Sequence, residues 1–293
     1  MTHVALITGG ASGMGFAVAE ALVALGNWKV HIVDLNAERG AEAAAKLGNG
    51  STFHQGNVTC YDTLGSIFES VFKTDGRLDF VFANAGVVER FNFYAKQESG
   101  GTSPPPIPDH TTLEVDLKSV FNTAYLALHY FRLSGSKVKL PNLVMTASCA
   151  GIYSSESSPL YSAAKHGVLG LVHSISGPFY EEDNIRVNAI CPGPVWTNLV
   201  ESSLWSRFPK EFFTPLEQIG DIVSTLVTGG ELVDSKGQKI SEADRNNWGN
   251  AIEMSGKSYY FRRRPEFSDK VMEEIVGATK LRSEQGKRMR DGN

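Results

Sequence analysis

Tyr161 and Lys165 lie four residues apart in the run Tyr161-Ser-Ala-Ala-Lys165. On a helix that spacing stacks the phenol and the ammonium on one face. Such groups ordinarily titrate near pH ~10, but an ammonium beside a phenol favours the phenolate. A second run, Thr8-Gly-Gly-Ala-Ser-Gly-Met-Gly15, falls between an apolar strand and a helix near the start of the chain. Glycine there lets the backbone turn and approach a ligand, and the following helix points unsatisfied N–H groups at a phosphate. Either feature alone is weak. Together they read as hydride transfer, with a nucleotide cradle made by Gly9, Ser12, Gly13, Met14 and Gly15 and proton exchange at Tyr161.

Other polar residues fall where strands should end. Ser148 follows the fifth apolar run and is placed to hold a substrate oxygen by a hydrogen bond, while Lys165 also serves to anchor a nicotinamide ribose. The cofactor brings the redox chemistry; the side chains bring orientation and proton transfer. Asp34 closes the second run, and its carboxylate suits two ribose hydroxyls and repels a 2′-phosphate. Leu35 follows, so no cation stands next to Asp34, which favours NAD over NADP; Arg39 is the nearby cation that opposes this preference. Asn57-Val58 ends the third run and is placed to hold adenine. Asn84-Ala85-Gly86 ends the fourth and puts small residues where the cofactor passes. Each of these last two is equally a strand-ending turn.

The elements that must position these groups alternate from the start. Apolar strands are expected at Val4–Ile7, Val30–Val33, Ser51–Gln55, Leu78–Ala83, Leu143–Ala147 and Ile185–Ile190. Helices are expected at Phe16–Leu25, Glu38–Leu47, Leu64–Phe72, Leu113–Phe131 and Tyr161–Ser174. Continuous apolar strands between helices indicate a parallel sheet covered on both faces, with right-handed connections and a ligand crevice at the strands' carboxyl ends. Three regions depart from the rhythm. Residues 91–108 contain Gly100-Gly-Thr-Ser-Pro-Pro-Pro106 and read as a surface insertion. Residues 196–213, with Trp205, Phe208 and Phe212, read as a substrate lid or as packing in an irregular region. From Lys257 onward ten basic residues face six acidic ones, a solvated extension. The expected division is one domain over 1–255 and a basic extension over 256–293.

Composition narrows the class. A hydrophobic content of 42% with 20% charged residues is ordinary globular composition. A net charge of −4 supplies no basic field for nucleic acid or an anionic membrane. No apolar span approaches the ~20 residues needed to cross a bilayer, and the first ten residues read as a strand rather than a signal peptide. Cys60, Cys149 and Cys191 are odd in number and widely spaced, which argues against a disulfide framework or a zinc cluster. A reducing, cytoplasmic setting is the expectation. His166 follows Lys165 and points off its face; it and His173 are read as structural, as is Cys149.

The glycine run, Asn84-Ala-Gly86, Ser148, Tyr161-Ser-Ala-Ala-Lys165 and Pro192-Gly-Pro-Val-Trp-Thr197 together resemble the classical short-chain dehydrogenase/reductase family, from about residue 3 to about residue 255. Tyr161-Ser-Ala-Ala-Lys-His-Gly167 and Val187-Asn-Ala-Ile-Cys-Pro-Gly193 are most similar to the 15-hydroxyprostaglandin dehydrogenase group and to related fungal secondary-metabolite dehydrogenases. The resemblance implies a Rossmann-like α/β fold, a doubly wound parallel sheet of seven strands. It implies NAD-dependent interconversion of a secondary alcohol and a ketone on a mostly apolar small molecule, without a metal. It implies a homodimer or homotetramer, a Ser148, Tyr161 and Lys165 catalytic set, and cofactor contacts at Pro192, Gly193, Val195 and Thr197, the last two at the nicotinamide amide. An NADPH-dependent ketoreductase and a catalytically weak NAD-binding regulatory protein are the alternatives.

One position departs from the family pattern. Where the family has an asparagine that binds a water leading to the lysine, Leu113-Glu-Val-Asp116-Leu places Asp116. A carboxylate still accepts from water but lacks the amide donor. It is also able to pair with Lys165. Replacement by asparagine is expected to be tolerated.

Overall fold

The computed structural model describes residues 2–96, 102–199, 208–283 and 286. The apolar runs form six strands: β1 (His3–Thr8), β2 (Trp28–Asp34), β3 (Ser51–Gln55), β4 (Phe80–Ala83), β5 (Asn142–Thr146) and β6 (Arg186–Pro192). Between them lie α1 (Gly13–Ala24), α2 (Ala37–Leu47), α3 (Tyr61–Asp75), α4 and α5 (Pro159–Asp183). Helix α4 starts at Thr111–Leu113, widens into a π-helical turn at Glu114–Lys118 and continues through Ser119–Ser134. After β6 come α6 (Leu216–Thr228), a hairpin of β7 (Leu232–Val233) and β8 (Lys239–Ile240), β9 (Ala251–Ser255) and β10 (Ser258–Arg262).

The main sheet runs β3-β2-β1-β4-β5-β6-β9-β10. Every pairing in it is parallel except β9 with β10, where Glu253 faces Tyr260. Strand order reverses beside β1, so a crevice opens at the carboxyl ends of β1 and β4. The doubly wound α/β class is as expected, but the sheet has eight strands and not seven. The extra strand, β10, follows a two-residue turn at Gly256-Lys257, a hairpin signal followed by the strand formers Tyr259, Tyr260 and Phe261. The first compact unit therefore runs to Arg262, past the boundary expected at 255. The second, Arg263–Asn293, holds α7 (Lys270–Ala278), whose first turn is capped by Asp269 accepting from the Met272 N–H at 2.8 Å.

Apolar side chains fill both faces of the sheet. Helix α3 buries Leu64, Ile67, Phe68 and Val71, the i, i+3, i+4, i+7 stripe of one helical face. They join Ala127 and Phe131 of α4 and Val168 and Val172 of α5 over the first face. On the other, Val18 and Leu22 of α1 meet Ile219, Val223 and Leu226 of α6. Each such side chain contributes about 1.5–3 kcal/mol by leaving water. The rigid sheet holds the strand ends that carry the polar residues. Residues 91–96 and 102–108 form no helix or strand. Among the described residues no helix is long and apolar enough to cross a membrane, and no metal-binding cluster of three His, Cys, Asp or Glu occurs.

Candidate active site

The glycine run leaves the end of β1 as a turn stitched to its neighbours. Thr8 Oγ1 donates to the Phe82 carbonyl at 3.3 Å and accepts from the N–H groups of Asn84 at 3.0 Å and Ala85 at 3.2 Å. Asn84 Nδ2 donates to the carbonyls of Thr8 and Gly9, both at 3.2 Å, while its Oδ1 accepts from Thr146 Oγ1 at 3.0 Å. One amide thus ties the ends of β1, β4 and β5. Its hydrogens are committed to the loop backbone, so Asn84 shapes the nucleotide site as a brace. Gly9 adopts φ +64, and a Cβ on Gly15 would stand 2.2 Å from the Gly9 carbonyl oxygen. No other residue fits there. Ser12 precedes α1 without capping it by its side chain, which leaves the first-turn N–H groups facing the loop. Thr197 packs against Gly13, its methyl 3.0 Å from where a Cβ would lie. Met14 is half-buried beside them. These features fit a pyrophosphate: first-turn N–H donors, glycines at 9, 13 and 15, and a helix dipole behind them.

Asp34 lies at the end of β2 with Oδ2 accepting from the Ala11 N–H at 3.2 Å and Oδ1 from the Asn36 N–H at 3.1 Å. The carboxylate is half-buried and fixed against the loop, which fits a ribose diol. Leu35 is exposed. Arg39 lines a groove with Ala11, Ser12, Phe16, Glu42 and Lys46, on the same side of the loop as Ser12. Asn57 turns its carbonyl oxygen back to Thr59, accepting from Oγ1 at 2.8 Å and from the N–H at 3.0 Å, so it forms a strand-ending Asx turn. Val58 is buried in the core. Pro192 is buried, and Gly193 donates its N–H to the Met254 carbonyl at 2.8 Å, which fixes the start of the segment carrying Val195 and Thr197.

The expected reacting groups lie on α5 and just after β5. Helix α5 carries Tyr161 in its first turn and Lys165 one turn later, with Nζ 5.4 Å from the phenol ring centroid. Lys165 is buried; its Nζ donates to the Thr146 carbonyl at 3.1 Å and lies 3.1 Å from Asp116 Oδ2. Asp116, on the π turn of α4, is fully buried, and its Oδ1 accepts from the Val87 N–H at 2.8 Å. Burial pushes the Asp116 carboxyl above its ordinary value, against the pull of Lys165 and of the Val87 N–H. Burial also opposes the Lys165 charge, but Asp116 and Tyr161 outweigh it and hold the ammonium above its usual range. Pairing of Asp116 with Lys165 is therefore the observed arrangement. Both carboxylate oxygens face donors, whereas the amide of asparagine would offer only one acceptor there. Ser148, buried at the end of β5, accepts from the Ala150 N–H at 3.1 Å through Oγ.

Thr8, Thr146 and Glu89 joined the site without having been singled out. Glu89 Oε2 accepts from the Tyr161 N–H at 2.9 Å and so fixes the first turn of α5. A carboxylate shortly after the small residues of Asn84-Ala-Gly86 was the available signal. Cys191 is fully buried and its thiol is pushed up to about 12, chiefly by burial; Cys149 is half-buried beside Ser148. His166 is exposed on α5 with Nδ1 2.9 Å from the Ser162 carbonyl. In the expected lid Trp196 packs on Phe213 with ring centroids 5.3 Å apart, and Phe208 and Phe212 are exposed. Trp205 lies outside the described residues.

The family model for short chain dehydrogenase matches residues 3–206. "Short-chain dehydrogenase/reductase prx7" of Penicillium rubens is 47% identical over 93% of this chain and 98% of its own length. Human "15-hydroxyprostaglandin dehydrogenase [NAD(+)]" is 34% identical over 68% of this chain and 70% of its own. Among solved structures, levodione reductase superposes with a TM-score of 0.69 at 25% identity, covering 87% of this chain and 96% of that one.

Proposed function

The chain belongs to the short-chain dehydrogenase/reductase family and is an oxidoreductase, and we propose that it interconverts a secondary alcohol and a ketone on a mostly apolar small molecule with NAD. The observation that carries this is the Tyr161–Lys165 stack on α5, with Lys165 Nζ bonded to the Thr146 carbonyl two residues before Ser148. When bound, NAD supplies the hydride acceptor. The first turn of α1 and the Gly9–Gly15 backbone would hold its pyrophosphate, Asp34 its adenosine ribose, and Val195 and Thr197 its carboxamide. A relative whose name carries NAD(+) supports this cofactor, as does Asp34 itself.

Ser148 Oγ donates to the substrate oxygen and orients it toward the phenol. Tyr161 takes the alcohol proton in oxidation and returns it in reduction. Lys165, held charged by Asp116, stands as a fixed cation beside the phenol. Trp196, Phe208 and Phe212 are apolar surface for the substrate body, the usual division between apolar lining and a few polar groups. A homodimer or homotetramer in the cytoplasm completes the proposal; size-exclusion chromatography with light scattering tests the assembly.

The test is NADH production from NAD over a panel of secondary alcohols, with Tyr161→Phe as control. Turnover should fall at least ~100-fold in the variant while NADH affinity stays within twofold. Near-wild-type turnover in Tyr161→Phe defeats the mechanism. NADH binding without turnover of any alcohol or ketone defeats the enzyme assignment in favour of a regulatory NAD-binding protein.

A further inference from the structure

A second polar cluster spans the edge of the sheet on the side of Ser148. Tyr153, in the loop between Ser148 and α5, donates its hydroxyl to Glu253 Oε1 at 3.0 Å and accepts from Arg262 Nη2 at 2.7 Å. Arg262 Nε donates to Glu253 Oε2, closing the triangle. Glu253 lies on β9 in register with Cys191 on β6, and Arg262 ends β10. Glu253 is 8% exposed, and a buried carboxylate is costly unless paired and hydrogen-bonded. The guanidinium that pairs it comes from the strand added beyond the expected seven. Tyr153 is 51% exposed, so its hydroxyl is fixed by two polar contacts rather than by packing of its ring. Burial and the Glu253 carboxylate hold that phenol above its usual range, so at neutral pH it is a neutral donor.

The loop from Ser148 to Tyr153 is a single hydrogen-bonded turn. Ser148 Oγ accepts from the Ala150 N–H, the Ser148 carbonyl from the Gly151 N–H at 2.9 Å, and the Cys149 carbonyl from the N–H groups of Ile152 at 3.0 Å and Tyr153 at 2.7 Å. A shift of Tyr153 therefore passes to the Ser148 hydroxyl through short, directional bonds. We propose that Tyr153, Glu253 and Arg262 form a clamp of positioning residues that fixes the Ser148 hydroxyl through the Cys149–Gly151 turn. The catalytic consequence rests on Ser148 holding the substrate oxygen, where a displacement of ~1 Å is enough to cost ~100-fold in rate.

Three variants of the full chain test the clamp. Tyr153→Phe removes only the hydroxyl, Arg262→Gln removes the charge that pairs Glu253, and Arg262→Lys returns a cation. Residue-resolved amide exchange needs no substrate and reads the turn directly, because the Ala150 N–H is bonded to Ser148 Oγ. Exchange at 150–153 should accelerate at least ~10-fold in Tyr153→Phe and Arg262→Gln, with β5 amides 143–146 unchanged and Arg262→Lys close to wild type. With NAD and an accepted secondary alcohol, kcat should fall about 10-fold while the KM for NAD stays within twofold. Unchanged protection at 150–153 in Tyr153→Phe overturns the clamp, even if Arg262→Gln does not fold. Lost protection with unchanged kcat overturns its positioning role. A wild-type chain inactive on every alcohol refutes the proposed function alone, and the exchange data still decide the clamp.

Discussion

Asp116→Asn is the most discriminating single substitution. The side chains are nearly isosteric, so the change removes a charge and converts one oxygen to a donor. Oδ1 accepts from the Val87 N–H at 2.8 Å and Oδ2 lies 3.1 Å from Lys165 Nζ. In either orientation the amide N–H₂ must face another donor, at a fully buried site. At 3.1 Å and an effective dielectric of ~20, the lost attraction is about 5 kcal/mol in gross terms. Relief of carboxylate desolvation offsets part of this, leaving a net loss of about 3 kcal/mol. The raised Lys165 contributes stability that is fully present below pH 10.5 and lost as pH rises through its folded value. The deficit of the variant should thus be full at pH 7 and shrink only above about 10.5. Urea unfolding at pH 7 and at a pH above 10.5, with the m-value held as a check on two-state behaviour, measures it. In the NAD-linked assay the variant should also lose ~10-fold or more in kcat with NADH affinity retained. A deficit under ~1 kcal/mol at pH 7 together with wild-type kcat would refute the reasoning and return Asp116 to a water-binding role.

Asp34→Ser should shift the ratio of kcat/KM for NADP over NAD upward by at least ~10-fold, since Arg39 and Lys46 already line the groove beside Ser12; an unchanged ratio means Asp34 does not set the preference. His54, 2.9 Å from His31 through Nε2, is held down to about 4 by burial and then by His31. The unfolded chain therefore binds a proton that the folded chain refuses between about pH 6.5 and 4, and stability should fall by about 1–2 kcal/mol as pH drops through that window, after allowance for the partial exposure of the ring. His54→Gln should flatten the fall, and identical slopes in the two proteins exclude this source. Glu89→Ala should lower kcat several-fold, and Glu89→Gln, which keeps an acceptor for the Tyr161 N–H, should retain most of it; equal losses in the two variants would assign the effect to charge rather than to the helix start.

The alternation of strands and helices was legible because apolar runs buried on both faces leave few other arrangements. Thr8-to-Gly15 and Tyr161-to-Lys165 were legible because each motif works within one local element. The brace made by Asn84 was not, since it links Thr8, Gly9 and Thr146, which the sheet brings together from far apart in sequence. Glu89 was hidden for the same reason: its partner is the Tyr161 backbone. Asp116 was legible as a departure and as a partner for Lys165. That Oδ1 accepts from the Val87 N–H while Oδ2 faces Lys165 Nζ follows from the placement of the π turn of α4, which no spacing rule supplies. Strand β10 was masked by the basic composition around it, although the Gly256-Lys257 turn and three aromatic residues carried the signal.

The departures from the expected pattern share a physical direction. Where a neutral amide and a water would link the lysine outward, the chain places a buried carboxylate in direct contact with the ammonium. A water chain passes protons by reorienting; a buried ion pair holds one proton in place, because moving it leaves an unpaired charge in a low-dielectric site. Lys165 is then better suited to acting as a fixed cation beside Tyr161 than as a relay, and the return of the Tyr161 proton to solvent must use the open side of the phenol, which is half-exposed. Such a site works best when the loops over it are held still. The Tyr153–Glu253–Arg262 triangle on one side and the Glu89 contact on the other bracket the catalytic turn and helix start, at opposite ends of the loop between Ser148 and Tyr161.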